Sequence, residues 1–260
     1  MTTSSQASSN DDFFARFPWV VHEFGITQDE LHLADDYMNR AGQAGVCRSL
    51  LDVALAMTSI DATVRVSNGT RPNLEGPYHD RHPIRPDRIL LDRDPGPGAE
   101  RLTLSGAVTD AATGLPIPGA HVDLWQADHG GHYDLAGSHL RGILVTDAEG
   151  RYRATTIVPL DYSDHDADPI GELFRAMGRH NRRAAHIHAK ISVDGVECLT
   201  TQLFIPGSPY LDSDYVEGAV SPDLIIELIA DEDAASRDGP LMQRAQFDFV
   251  VSRVARELAA

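Results

Sequence analysis

Apolar positions follow two different rhythms along this chain, and the change falls near residue 99. Between Thr27 and Gly69 they recur at spacings of three and four: Leu31, Ala34, Tyr37 and Ala41, then Leu50, Leu51, Val53, Ala54 and Met57. That is the period of helices buried along one face. Thr27 with Glu30 forms the pattern of a capping box at the first helix start, so two or three helices are expected. From Ala99 onward the rhythm shortens to two, with Gly, Pro and Asp-Gly punctuation between runs, which predicts strands. The runs are "ERLTLSGAVTD" and "GAHVDLWQAD"; a hairpin-like pair in "GILVTDAEGRYRATTIVPLDY" about Asp147–Gly150; a second pair in "AHIHAKISVDGVECLTTQLFI" turning near Asp194-Gly195; and a last strand in "AQFDFVVSRV". Strands at this spacing form an antiparallel β-sandwich or barrel.

The same pattern divides the chain. Residues 1–12 are rich in Ser, Thr, Asn and Asp and are expected to be disordered. A helical segment occupies 13–70, a Pro-rich connecting loop 71–98, and the mainly β part 99–260. A loop of that length without regular structure is often functional.

Composition narrows the class. The chain has 260 residues, enough for a full hydrophobic core. With 22 Lys plus Arg against 39 Asp plus Glu the net charge is -17, so the basic footprint of a nucleic-acid binder is absent. No apolar run reaches membrane-spanning length, so the protein is not expected to be membrane-embedded. The first residues lack the basic start and apolar core of a signal peptide. Two cysteines, Cys47 and Cys198, stand far apart in no metal-binding spacing. Together these features fit a cytoplasmic protein without a disulfide framework.

Among the 12 histidines, His186 and His188 are the most suggestive, because residues two apart on a strand share a face. Both imidazoles then point one way and Ile187 the other. Alone, this pair is compatible with two idle side chains on a solvated strand. A metal would need further ligands: Cys, Asp, Glu or another His for zinc, or anionic oxygen such as tyrosinate for ferric iron. Tyr133 lies in a Gly-rich turn, "DHGGHYD", and Tyr162 ends the run "TTIVPLDY".

The motifs "GAHVDLWQADHGGHYD", "GRYRATTIVPLDY", "GRHNRRAAHIH" and "LTTQLFI", in this order between about Leu102 and Leu228, resemble the intradiol ring-cleavage dioxygenases, in particular the catechol and hydroxyquinol 1,2-dioxygenases. "LEGPY" and the N-terminal helices extend the resemblance more loosely. It implies a transthyretin-like β-sandwich catalytic domain with an N-terminal helical segment that forms a homodimer, with a phospholipid at the dimer interface as a further family feature. It also implies one Fe(III) per subunit, held by Tyr133, Tyr162, His186 and His188. Arg183 matches the family's active-site arginine and Gln202 its site glutamine. In such enzymes a small aromatic diol and O2 are the substrates. The tyrosine matching Tyr162 leaves the metal when the diol binds and helps remove a phenolic proton. Oxygen enters between the two hydroxylated carbons, and a dicarboxylic acid results. Arg183, permanently charged, can stabilise negative charge developing on the ring.

The resemblance places the substrate pocket at Asp52 in "LLD", at Leu74, Pro77 and Tyr78 in "LEGPY", at Asp161 and Arg183, and at Glu217 and Gly218 in "YVEG". "LLD" and "YLDSD" are similar to the hydroxyquinol enzymes, whereas "LEGPY" is similar to the catechol enzymes. Asp161 and Glu217 depart from the apolar residues usual in the family. If they face the pocket, it suits an extra hydroxyl, because a polar site rejects analogues that lack its partner group. The expectation is hydroxyquinol 1,2-dioxygenase activity giving maleylacetate, with catechol 1,2-dioxygenase activity giving cis,cis-muconate as the alternative. Two readings of other classes stay open: a non-enzymatic transthyretin-like binding module, and a zinc hydrolase adding His180 or His132 to the pair.

Overall fold

In the computed structural model, residues 18–63, 69–163, 165–230 and 242–252 are described; the expectation for residues 1–12 lies outside them. A helix over residues 18–24 (α1) leads to α2, Gln28–Gln43. The capping box at its start is formed: Thr27 accepts from the Glu30 amide, and Glu30 accepts from Thr27. Next come α3 (Cys47–Leu51), a π-helical turn (Asp52–Ala56) and α4 (Met57–Thr63). Such wide turns are often found at functional sites.

Two sheets follow, built from β1 (Arg101–Asp110), β2 (His121–Gln126), β3 (Arg141–Val145), β4 (Arg151–Ile157), β5 (His186–Val193), β6 (Val196–Phe204), β7 (Ile229–Ala230), β8 (Met242–Gln246) and β9 (Phe249–Val251). One has the order β4-β1-β8-β7, with β9 also on β1; the other is four-stranded and antiparallel, β3-β2-β5-β6. The first sheet is mixed, since β1 runs parallel to β8 and β9. Alternation along the strands sends Leu102, Leu104, Val122, Leu124, Ile187, Ala189 and Leu203 between the sheets, where they form the main core.

Three local expectations change. The run about Asp147–Gly150 does turn, but β3 and β4 are not a hairpin: β3 pairs with β2, and β4 with β1 in the other sheet. Turn chemistry sets a local reversal and leaves open which sheet the chain enters next. The final strand is two short ones, β8 and β9, with Phe247 and Asp248 between them. A helix, α5 (Pro169–Ala176), stands in the segment between Tyr162 and Arg183, which had shown no element. Asp168 caps it through the Ile170 and Gly171 amides.

The Pro-rich segment crosses the outer face of the four-stranded sheet. Asn73 bonds the Thr200 carbonyl on β6 and Ile84 bridges to Ile143 on β3, after which Ile89 bridges to Thr155 on β4 of the other sheet. A second core of Val53, Met57, Leu74, Phe174, Phe204, Tyr215 and Val216 joins the helices to that face. The outer face is therefore roofed, and its polar residues are enclosed.

Candidate active site

One transverse row of the four-stranded sheet organises the site. Arg141 on β3 pairs with Trp125 on β2, Trp125 with His188 on β5, and His188 with Gln202 on β6. Cross-strand partners share a face, so all four side chains rise from the outer surface. His186 stands on the same face two residues before His188, as period-two geometry requires. All five are at most 2% exposed.

Tyr133 comes from the loop after β2 and Tyr162 from the segment after β4. Tyr162 is fixed by reciprocal backbone bonds with Arg183, and Tyr133 is stacked on Tyr78 at 4.4 Å. Four donor atoms converge: His186 Nε2 to His188 Nε2 3.1 Å, His188 Nε2 to the Tyr133 hydroxyl 3.1 Å, and the two tyrosine hydroxyls 3.5 Å apart. Ligand atoms bonded to one ion at about 2.0–2.2 Å lie roughly 3–3.5 Å from one another, so this set is of the right size for a metal. The Nδ1–H of His186 donates to the Ala184 carbonyl at 2.6 Å, leaving Nε2 as a lone-pair donor. Burial pulls both histidines well below their ordinary pKa; the Arg183 cation adds to this for His186, and His186 and Arg183 add to it for His188. They are neutral at neutral pH, and two bare nitrogens this close repel unless a cation or a shared proton lies between them.

His188 Nδ1 finds no acceptor among the described residues. Its ring is positioned by packing instead, parallel to Trp125 at 4.7 Å and 3°. Gly76 backs onto it: a Cβ there would lie 3.4 Å from His188 Cε1, and the backbone has φ +73°. Both facts favour glycine.

Arg183 is 3% exposed. Its Nε donates to both Asp214 oxygens at 2.9 and 3.1 Å, and Nη2 donates to Gln202 Oε1 at 2.7 Å. Burial, the largest influence, opposes its charge, but the Asp214 carboxylate together with Tyr162, Tyr215 and Tyr133 outweighs burial and raises its pKa. Gln202 is held in turn through Nε2 by the Leu74 carbonyl at 2.8 Å. The alternative third histidines lie apart from this set: His180 is exposed on Ser213 and Tyr210, and His132 is exposed beside Asp128.

The expected pocket residues divide. Leu74 is buried in the second core, and Tyr78 lies against Tyr133. Asp52 sits in the π-helical turn facing Arg48, and Gly218 is next to Met57. Pro77 is exposed at the edge. Asp161 lies 3.8 Å from Arg182. Glu217 points outward: its side chain is 76% exposed and pairs with Arg179 at 3.6 Å, which fits a solvent-facing carboxylate better than a pocket one.

Sequence reasoning did not single out Asp214, Trp125, Arg141, Asp123, His79 or His82. Asp214 lay inside "YLDSD", and a buried arginine beside it was the signal that a carboxylate had to be near. His79 Nε2 and His82 Nδ1 meet opposite oxygens of Asp123, at 3.1 and 2.5 Å. Their donor atoms are close enough for a metal. However, His82 Nε2 faces Arg141 Nη1 at 3.3 Å. A guanidinium only donates, so Nε2 accepts and Nδ1 carries the proton given to Asp123. The trio is a hydrogen-bonded relay, with no lone pair of His82 left for an ion.

A family model described as Dioxygenase matches residues 74–253. The chain is 33% identical over 247 residues to a chlorocatechol 1,2-dioxygenase of Pseudomonas sp. (strain P51), covering 92% of each. It is 35% identical over 252 residues to a 6-chlorohydroxyquinol 1,2-dioxygenase of Cupriavidus pinatubonensis, covering 89% of this chain and 86% of that one. The crystal structure of 3-chlorocatechol 1,2-dioxygenase from Rhodococcus opacus superposes with a TM-score of 0.82 at 27% identity, over 97% of this chain and 100% of that one.

Proposed function

The chain belongs to the intradiol dioxygenase family, enzymes that cleave catechol-type rings between the two hydroxylated carbons, and on that premise we propose that its substrate is hydroxyquinol and its product maleylacetate. The convergence of Tyr133, Tyr162, His186 and His188 beside the charged Arg183 is the observation that carries the reaction class. These four residues hold one Fe(III) per subunit: two phenolates match a hard trivalent cation, and two neutral imidazoles complete the set. When bound, the ferric ion supplies the charge that holds the diol as its dianion and opens the ring to O2.

The chain's own groups do the rest. Tyr162, on the segment after β4, would give way to the diol, and its phenolate oxygen would take a phenolic proton. Tyr133, stacked on Tyr78, stays in place. Arg183 faces the ring with a fixed positive charge that neither water nor rotation dilutes, because Asp214 and Gln202 hold it in a buried position. Leu74, whose carbonyl holds Gln202, and Tyr78, stacked on Tyr133, help enclose the site and keep water from the reacting carbons. Asp52 in the π-helical turn is the group assigned to a third ring hydroxyl, and the 6-chlorohydroxyquinol relative supports the choice. The chlorocatechol relative makes a catechol lacking that hydroxyl the competing substrate.

Exposed Trp19, Phe24, Leu31, Leu33 and Met38 on α1 and α2 support a homodimer through these helices, with phospholipid acyl chains as a second occupant of the exposed apolar surface. Among the described residues no helix is long and apolar enough to cross a membrane.

Oxygen uptake by the iron-loaded protein on hydroxyquinol, catechol and chlorocatechol, with product identification, tests the substrate. Maleylacetate from hydroxyquinol at the highest kcat/KM is expected. Turnover of catechol to cis,cis-muconate with hydroxyquinol inert would overturn it.

A further inference from the structure

Arg141 is a buried cation that the reaction as described leaves unused. It is 2% exposed and stands in the same transverse row as Trp125 and His188. Its Nη1 donates to the Tyr78 carbonyl and faces His82 Nε2 at 3.3 Å; its Nε and Nη2 meet no acceptor among the described residues. No carboxylate therefore neutralises it directly. Its guanidinium carbon lies 5.9 Å from the centroid of the Tyr133 ring, which makes that ring the electron-rich group it serves. Two further contacts tie the arginine to the same side of the site. The Tyr78 residue whose carbonyl it grips is stacked on Tyr133. The His82 it faces is anchored by Asp123, which also holds His79, and His79 packs edge-on at 4.7 Å against the Trp125 that stacks on His188.

We propose that Arg141 is a positioning residue of the metal centre, aligning Tyr133 through Tyr78 and placing a positive charge against its ring, with the His82–Asp123–His79 relay as its support. This rests on Tyr133 being an iron ligand. Groups two bonds from a metal tune its affinity and electronics as strongly as many ligands do. A cation beside a phenolate lowers the energy of the phenolate's donor electrons. Removing that cation makes the tyrosinate-to-iron charge transfer easier, so the visible band moves to longer wavelength.

The test is the absorption spectrum and ferric-ion affinity of the full-length protein and of Arg141→Met, Arg141→Lys and His82→Gln, beside the thermal midpoints of the iron-free proteins. Arg141→Met is expected to shift the band to longer wavelength and weaken iron binding roughly 10–100-fold. Arg141→Lys restores part of both, and His82→Gln gives a smaller shift in the same direction. A wild-type band and affinity in Arg141→Met, with only the iron-free midpoint lowered, overturns the proposal and leaves a packing role. If Arg141→Met does not fold, His82→Gln decides: an unshifted band overturns it. A wild-type protein that binds iron without any visible band overturns the tyrosinate reading itself, a result distinct from any of these.

Discussion

Two buried arginines flank the candidate iron ligands, and they are treated in opposite ways. Arg183, at the β6 end of the site, has a carboxylate on its Nε and an amide oxygen on Nη2. Arg141, at the β3 end of the same transverse row, has a carbonyl and an imidazole and no direct anion. Their pKa directions follow. Burial disfavours both charges, but Asp214 with the tyrosines around it reverses the effect for Arg183, whereas for Arg141 burial wins and the pKa falls. Both stay protonated at any working pH, so the difference lies in where each charge is directed. Arg183 is held rigid by the Asp214 carboxylate and the Gln202 amide, which fix the direction of its charge. Arg141 leaves its field on Tyr133. An arginine held by a carboxylate is a charge of fixed direction, and one without a carboxylate leaves its field on the electron-rich group beside it.

The contrast breaks most severely at Asp214. Asp214→Ala turns Arg183 into a second arginine without a carboxylate, and it also strips acceptors from the Ala184 and Val216 amides. Removing one partner of a buried pair costs about 3–5 kcal/mol, so the urea midpoint of the iron-free variant should fall accordingly. Activity should fall further than stability explains, because Arg183 would no longer point at the ring. A variant as stable as wild type would show that Arg183 does not depend on its pair.

A smaller effect is expected on the Arg141 side. The Asp123 carboxyl is pushed up by burial, but the hydrogen bonds from His79 and His82 more than offset this and hold it below its ordinary value. A carboxylate with a depressed pKa contributes stability above its unfolded pKa, near 3.9, and loses it as pH falls through the lower folded value. Asp123→Asn removes that contribution, about 1–3 kcal/mol for hydrogen bonds to a charged group. The stability gap between wild type and variant should therefore be widest near neutral pH and close as pH falls through the lowered folded value. A gap that stays constant across that range would mean that Asp123 acts by shape alone.

The two sides also differ in how far the amino-acid sequence reveals them. His186 and His188 are legible because alternation on a strand is a local rule, and the fold class follows from the same period. Arg183, Gln202 and the two tyrosines stand out through their motifs. Asp214 and Arg141 do not, because what defines them is a distance across the fold: 31 residues separate Asp214 from Arg183, and 59 separate Arg141 from His82. Local turn chemistry misleads for the same reason at Asp147–Gly150, where adjacent strands leave for different sheets. Helix α5 is short and begins at Asp168-Pro169, a capping signal easily read as one more turn.

The finest test of the comparison concerns a charge that belongs to neither arginine's network. Glu217 departs from the family's usual apolar residue, and in the amino-acid sequence its polarity suggests an extra substrate hydroxyl. Its side chain is largely exposed and pairs with Arg179, itself half-exposed, at 3.6 Å. An ion pair in that position contributes about 0–1 kcal/mol. Glu217→Gln should leave stability within about 0.5 kcal/mol of wild type and the KM for hydroxyquinol within about twofold, equivalent to roughly 0.4 kcal/mol. A tenfold rise in KM for hydroxyquinol with none for catechol would place Glu217 on the substrate's third hydroxyl after all. The polarity that selects the diol would then come from the rim of the pocket, and Asp52 in the π-helical turn would lose its assigned part.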